Sequence, residues 1–252
     1  MVKGLDIFRN HFRDYTNRYV LIGGTACDLA MEDAGLPFRA TKDLDIVLCL
    51  EVLDRTFIET FWDFIRIGGY QIQEKASGKK QFYRFANPAD KSFPYMLELF
   101  SRKPDALSIA DESHLTPIPT GEEVASLSAI LLDDGYYSFI TEGKKERDGL
   151  PVIGADRLIP LKAKAWLDLN QRKQQGETID SKNIRKHKND VFRLYQIAEP
   201  GNLVSLPANI AKDLRLFFSL MPSEEIDLKS LGLGSTTVES IITELKRMYG
   251  ID

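Results

Sequence analysis

The sequence predicts an α/β (α+β) fold: a mixed β-sheet flanked by helices, followed by a mainly helical C-terminal half. Three observations carry this expectation. Residues 19 to 50 run from an apolar strand through a glycine pair and a helical stretch into a second apolar strand. Strand-length apolar and alternating runs then continue to about Ile118, and from Ala155 the apolar spacing is helical almost to the end. The texture changes near residue 120, so the expected division is a sheet-bearing core over 1–120 and a mainly helical domain over 121–252.

Leu5, Phe8, Phe12 and Tyr15 form a helical stripe within residues 3 to 17. The first strand is Tyr19 to Ile22; Gly23-Gly24-Thr25 turns the chain, and a helix covers Ala26 to about Ala34. Asp43-Leu44-Asp45 then leads into the apolar run Ile46 to Leu50. A helix over Asp54 to Ile67 carries Phe57, Ile58, Phe61, Trp62 and Ile65 on one side and stops at Gly68-Gly69. Two alternating runs, 70–75 and 81–86, predict a hairpin turning at Ser77-Gly78. Pro94 to Phe100 is an apolar strand with one carboxylate, Glu98, in its middle. Thr120-Gly121-Glu122-Glu123 has the pattern of a capping box, which predicts a helix to about Leu132. Residues 135 to 153 read as a small hairpin with a charged tip over 144–149. Four helices follow, over 155–174, 183–198, 207–220 and 236–249, the last capped by Gly250.

The totals narrow the function classes. With 252 residues, 43% hydrophobic and 28% charged, the composition is that of an ordinary soluble protein. No apolar run approaches the length of a membrane span, and the first residues lack the pattern of a secretory signal, so no membrane and a cytoplasmic address are expected. Cys27 and Cys49 have neither metal-ligand nor disulfide-framework spacing, and three scattered histidines make zinc an unlikely expectation. The net charge of −4 argues against a general nucleic-acid binder.

The chemistry is concentrated in 19–50. Side chains two apart on a strand point to the same face, so Asp43 and Asp45 project together, spaced to share hard cations such as magnesium. Gly23-Gly24 lets backbone approach a ligand closely, and the helix that starts at Thr25 offers unpaired N–H groups to phosphate. Glu98, flanked by apolar neighbours, is costly to bury unless paired or metal-bound; on a strand beside Asp43–Leu50 it becomes a third ligand. A glycine pair or an Asp-x-Asp alone is usually only a turn or a solvated strand start. Their order, one helix apart and followed by an isolated strand carboxylate, is what points to a site.

Gly23-Gly24-Thr25, the intervening helix, and Arg39-x-Thr41-x-Asp43-x-Asp45 with its following strand resemble the nucleotidyltransferase superfamily, and within it the AbiEii-type branch of abortive-infection and toxin–antitoxin systems. The resemblance covers roughly residues 15 to 100. It implies a nucleotidyltransferase-like fold and an enzyme that uses an NTP. Gly23, Gly24, Thr25, Arg39 and Thr41 would line the nucleotide site, and Asp43, Asp45 and Glu98 would be catalytic acids that bind two magnesium ions. The glycine motif of the family often ends in Ser where this chain has Thr25, and Asp is usual where it has Glu98. More faintly, Leu161 to Trp166 and Lys188 to Phe192 resemble two later helices of AbiEii-like proteins. That implies Lys164 reaching the triphosphate and Asp190 organising the site. Lys162 and Lys164 are two apart on one helix, so only one can face inward, and spacing with Leu158, Leu161 and Ala165 favours Lys164.

Residues 156 to 193 hold ten Lys/Arg against five Asp/Glu. The strip over 182–193 could hold an RNA acceptor such as tRNA, although a solvated face is the commoner meaning of a charge run. The expected activity is transfer of a nucleoside monophosphate from an NTP to an acceptor hydroxyl. By resemblance, the protein would be a toxin with a cognate antitoxin. Two alternatives stay open: a non-catalytic nucleotide- or RNA-binding module, and transfer onto a small molecule, as in antibiotic-modifying relatives.

Overall fold

The computed structural model describes residues 2–74, 80–104, 115–118, 127–199 and 201–251. It divides into two compact units, 1–29 with 39–153, and 30–38 with 154–252. The sheet-bearing unit thus extends past the boundary expected near residue 120.

In the first unit, nine strands among the described residues form one sheet. β1 (Tyr19–Ile22) runs antiparallel to β2 (Asp43–Leu48), and β2 runs parallel to β5 (Met96–Ser101). Beyond β5 come β4 (Lys80–Ala86) and β3 (Gln71–Glu74), the expected hairpin, whose turn at Ser77-Gly78 lies outside the described residues. On the far side of β1 lie β9 (Leu150–Ile153) and β8 (Lys144–Arg147). β7 (Leu127–Leu131) lies parallel to β5 and antiparallel to β6 (Leu115–Ile118).

One face of this sheet is closed by α1 (Leu5–His11) and α3 (Arg55–Gly68). Period-two alternation sends Leu44, Ile46, Leu97 and Leu99 to that face, where they join Phe8, Phe12, Phe57, Phe61 and Phe64 in the core. The rings pack tilted or edge-on, Phe12 lying 5.3 Å from Phe64 and 5.7 Å from Phe57, an arrangement aromatic quadrupoles favour. α3 begins because the Asp54 carboxylate accepts from Phe57 N at 2.9 Å, and it ends because Gly69 adopts a left-handed conformation, φ 61°.

Three local expectations fail. The helix expected up to Leu132 is a strand over Leu127–Leu131; the capping-box residues 120–123 lie outside the described residues. Pairing with two other strands overrides the local helical signal there. The hairpin expected from residue 135 starts only at Lys144. Before it, Asp133 accepts from the N–H groups of Gly135 and Tyr136 and opens α4 (Asp134–Glu142). The turn is Asp148-Gly149, both residues at positive φ, which suits the twist of the flanking strands. Gly23-Gly24 is not a turn before a helix but the first turn of α2 (Gly23–Asp33).

The second unit is built on α5 (Ala155–Gln174), α6 (Ser181–Tyr195), α7 (Ala208–Leu220) and α8 (Val238–Tyr249), as the spacing predicts. α5 packs against α6 and α7, with Trp166 edge-on to Phe217 at 5.4 Å. Pro160 lies inside α5, so the carbonyl of Asp156 loses its helical N–H partner. The buried Tyr249 hydroxyl, from α8, donates to that carbonyl at 2.9 Å. Burial pushes the Tyr249 phenol well above its ordinary pKa, keeping it a donor. Among the described residues no helix is long and apolar enough to cross a membrane.

Candidate active site

The side of the sheet opposite the aromatic core carries the polar residues of β2 and β5. Burial alternates along both strands: Leu44 and Leu97 are fully buried, whereas Asp43, Asp45, Met96 and Glu98 remain partly exposed. Parallel register sets Asp45 directly beside Glu98 and Asp43 beside Met96. The three acids named from sequence therefore share one face.

α2 begins at the end of β1, and its first turn meets this face. Gly23 has φ +67°, and a Cβ built there would lie 1.7 Å from Asp45 Oδ2, so the Asp45 carboxylate occupies the space a side chain would need. A Cβ on Gly24 would lie 2.5 Å from Thr41 Oγ1 and 3.8 Å from an Arg39 guanidinium nitrogen. The buried Thr25 hydroxyl donates to the carbonyl of Asp43 at 2.7 Å, tying the start of the helix to the start of the strand. Gly23, Gly24, Thr25, Arg39, Thr41, Asp43, Asp45 and Glu98 thus meet at one place. The positive end of a helix faces the carboxylates, a setting in which negative charge is stabilised.

Arg84 is the residue that sequence reasoning missed. It lies opposite Glu98 in the β4–β5 register and forms an ion pair with it. Glu98 is thereby held by a cation of the chain. Among the described residues no group of three acids, histidines or cysteines is arranged to hold a metal. Asp43 and Asp45, two hard oxygen donors on one partly exposed face, suit a magnesium ion; the third-ligand role expected of Glu98 does not suit it while Arg84 holds the carboxylate. Only strand register reveals Arg84, since nothing in the run Gln81 to Ala86 marks it apart from its place on an alternating strand.

In the helical unit the inward lysine is Lys162, not Lys164. The buried stripe of α5 is Leu158, Ile159, Lys162, Ala163 and Trp166. Lys162 is 3.3 Å from the fully buried Asp190, which also accepts from Arg193 at 3.2 Å. Burying Asp190 at no exposure demands such partners. Lys164 is partly exposed between Asp168 and Asp213, at 3.1 and 3.4 Å. Although burial works against its charge, those two carboxylates raise its pKa. The spacing of Lys162, four after Leu158 and four before Trp166, was the available signal. Nor is the 182–193 strip one solvated surface: Lys188 is buried against Glu224, and Arg193 is spent on Asp190.

No protein-family model matches this chain, and no curated protein matches it. Among solved structures it is similar to an antigenic nucleotidyltransferase-like protein from Paracoccidioides brasiliensis, with 14% identity, 90% of this chain and 89% of that one covered, and a TM-score of 0.43. It is similar also to JHP933 from Helicobacter pylori, with 16% identity, coverage of 97% and 86%, and a TM-score of 0.42. For the polyadenylate synthase of Megavirus the identity is 12%, the coverage 87% and 36%, and the TM-score 0.38. What this site does has to be sought in its own residues.

Proposed function

We propose that this chain is a magnesium-dependent nucleotidyltransferase. It would join the nucleoside monophosphate of an NTP to an acceptor hydroxyl, with RNA such as tRNA as the favoured acceptor, and release pyrophosphate. One observation carries the reading: the first turn of α2, with no side chain at Gly23 or Gly24, is set against Asp43 and Asp45 on one partly exposed sheet face. A Cβ-free helix N-terminus lets the N–H groups approach phosphate oxygens, and Arg39 beside Gly24 adds a guanidinium for the same charge. Asp43 and Asp45 would hold magnesium. Magnesium bound there supplies charge neutralisation for the phosphates and lowers the pKa of the attacking hydroxyl. Thr25 fixes the distance between phosphate cradle and acid pair through its bond to the Asp43 carbonyl.

A second reading, a nucleotide-binding module without turnover, is favoured by the Arg84–Glu98 ion pair, which leaves two acids rather than three for metal. In either case a toxin held by an antitoxin is a role rather than a chemistry; growth arrest on expression that Asp43→Ala relieves would support it. Incubation with labelled NTPs, magnesium and total tRNA decides between the two readings. Label transfer that Asp45→Ala abolishes supports the enzyme. Nucleotide binding by calorimetry that magnesium does not alter, with no label transferred to any acceptor, supports the module.

A further inference from the structure

The helical unit contains a cavity of about 390 Å³. Its first wall is one stripe of α5, where Trp166, Asn170 and Lys173 follow at i, i+4 and i+7; its second is a stripe of α6, with Ser181, Ile184, Arg185 and Lys188 at i, i+3, i+4 and i+7. The segment Ser223 to Glu225 forms the third. The volume lies within the range of small-molecule sites, but the lining is mostly polar, unlike that of a site for an apolar ligand.

The charges are unevenly committed. Lys188 is buried, donating to Glu224 Oε2 at 2.6 Å and to the Glu225 carbonyl at 2.9 Å, so that pair is neutral within itself. Lys173 donates to Ser181 Oγ at 2.9 Å and makes no ion pair among the described residues. Arg185 is exposed and makes neither an ion pair nor a side-chain hydrogen bond among the described residues. Two cations without an ion pair among the described residues therefore flank the cavity together with the Ser181 hydroxyl, and the exposed Glu225 lines the third wall. Cations suit a phosphate, and a fork-shaped guanidinium suits it best. The carboxylate would repel an anion unless the same ligand also carried hydroxyl donors to meet it.

We propose that this cavity binds a ribose phosphate group, with Lys173, Arg185 and Ser181 on the phosphate and Glu225 on the sugar hydroxyls. The group could be a free sugar phosphate or the ribose phosphate of a nucleotide. The proposal does not depend on the acid site of the first unit, and its test needs neither metal nor turnover.

Trp166 lines the cavity, and the chain has two tryptophans, so Trp62→Phe leaves Trp166 as sole reporter. The full chain carrying that change would be titrated with ribose 5-phosphate, AMP, inorganic phosphate and ribose while following Trp166 emission. Saturable binding of ribose 5-phosphate, tighter than that of phosphate or ribose, is expected. Arg185→Gln and Lys173→Gln should each weaken it about tenfold, the effect of losing one charge-assisted contact. Both side chains reach solvent, so unchanged melting temperatures will show that each variant folds. Binding of AMP as well as ribose 5-phosphate identifies a nucleotide-borne group, and binding of ribose 5-phosphate alone a free sugar phosphate. No binding up to about 10 mM, a bound far weaker than millimolar sites require, overturns the proposal. Binding that phosphate alone matches, or that Arg185→Gln leaves unchanged, overturns it as well.

Discussion

Gly23→Ala should be much more destabilising than an ordinary glycine replacement, and the excess should belong to Asp45. Two effects add. An L-residue held at φ +67° costs about 1–2 kcal/mol. A new methyl 1.7 Å from Asp45 Oδ2 must push that carboxylate aside, and such overpacking costs about 1–3 kcal/mol more. The total is about 2–5 kcal/mol, of which the first part, with a small remainder against Asp45 Cβ at 2.9 Å, should survive when the carboxylate is gone. The assay is a double-mutant cycle by urea unfolding: Gly23→Ala, Asp45→Ala and both together. Asp45→Asn is the shape-matched control. With Asp45→Ala the methyl gains room, so a coupling of about 1–3 kcal/mol is expected. With Asp45→Asn the obstruction stays and the coupling should vanish. Additive costs in the Asp45→Ala cycle would show that the carboxylate does not lie against the first turn of α2, and the geometry argued for the site would fall with them.

Two further outcomes follow from hydrogen bonds elsewhere. Tyr249→Phe should cost about 1–3 kcal/mol, since it removes the Tyr249 donor from the Asp156 carbonyl; in a Pro160→Ala background, where a helical N–H returns, the thermal-melt penalty of Tyr249→Phe should shrink, and an unchanged penalty refutes the link. Burial works to raise the pKa of Glu51, but hydrogen bonds from the Tyr137 hydroxyl, at 2.6 Å, and from Arg102, at 2.9 Å, outweigh it and hold the carboxyl below its ordinary value. A carboxylate with a depressed folded pKa contributes stability that is full above the unfolded value, about 4.3, and is lost as pH falls through the folded one. Glu51→Gln should therefore lower the urea midpoint at neutral pH and flatten its decline below about pH 4; parallel pH profiles for wild type and variant would contradict this.

Much of the site was legible because its signals are local. The glycine pair, the threonine and the two aspartates lie within a single strand–helix–strand stretch, and alternation on a strand is enough to place Asp43 and Asp45 together. Glu98 was legible as an oddity, a carboxylate amid Leu97 and Leu99, but its neighbours were not. That Asp45 flanks it on one side and Arg84 on the other depends on which strands pair and in what register, which no local pattern records. Lys162 was misjudged by grouping Leu158 with Leu161 and Ala165 as the inward stripe, when Leu158 runs instead with Ile159, Lys162 and Trp166. Leu127–Leu131 misled for a further reason: a short apolar run without strict alternation suits helix and strand alike, and its partners decide. The four C-terminal helices were the easiest, being long and strongly periodic.

The two-faced alternation of β2 and β5 has a consequence for how this chain tolerates change. A slip of one residue in β5 against β2 would exchange their faces, carrying Glu98 down among Phe57 and Phe61 and lifting Leu97 or Leu99 beside Asp45. Such a slip would desolvate a carboxylate and expose leucines at once. The rings of α1 and α3 never meet the acids, yet they act as the inspector of their alignment. A single-residue insertion or deletion within either strand should therefore be rejected by the core before it could disturb the chemistry above it.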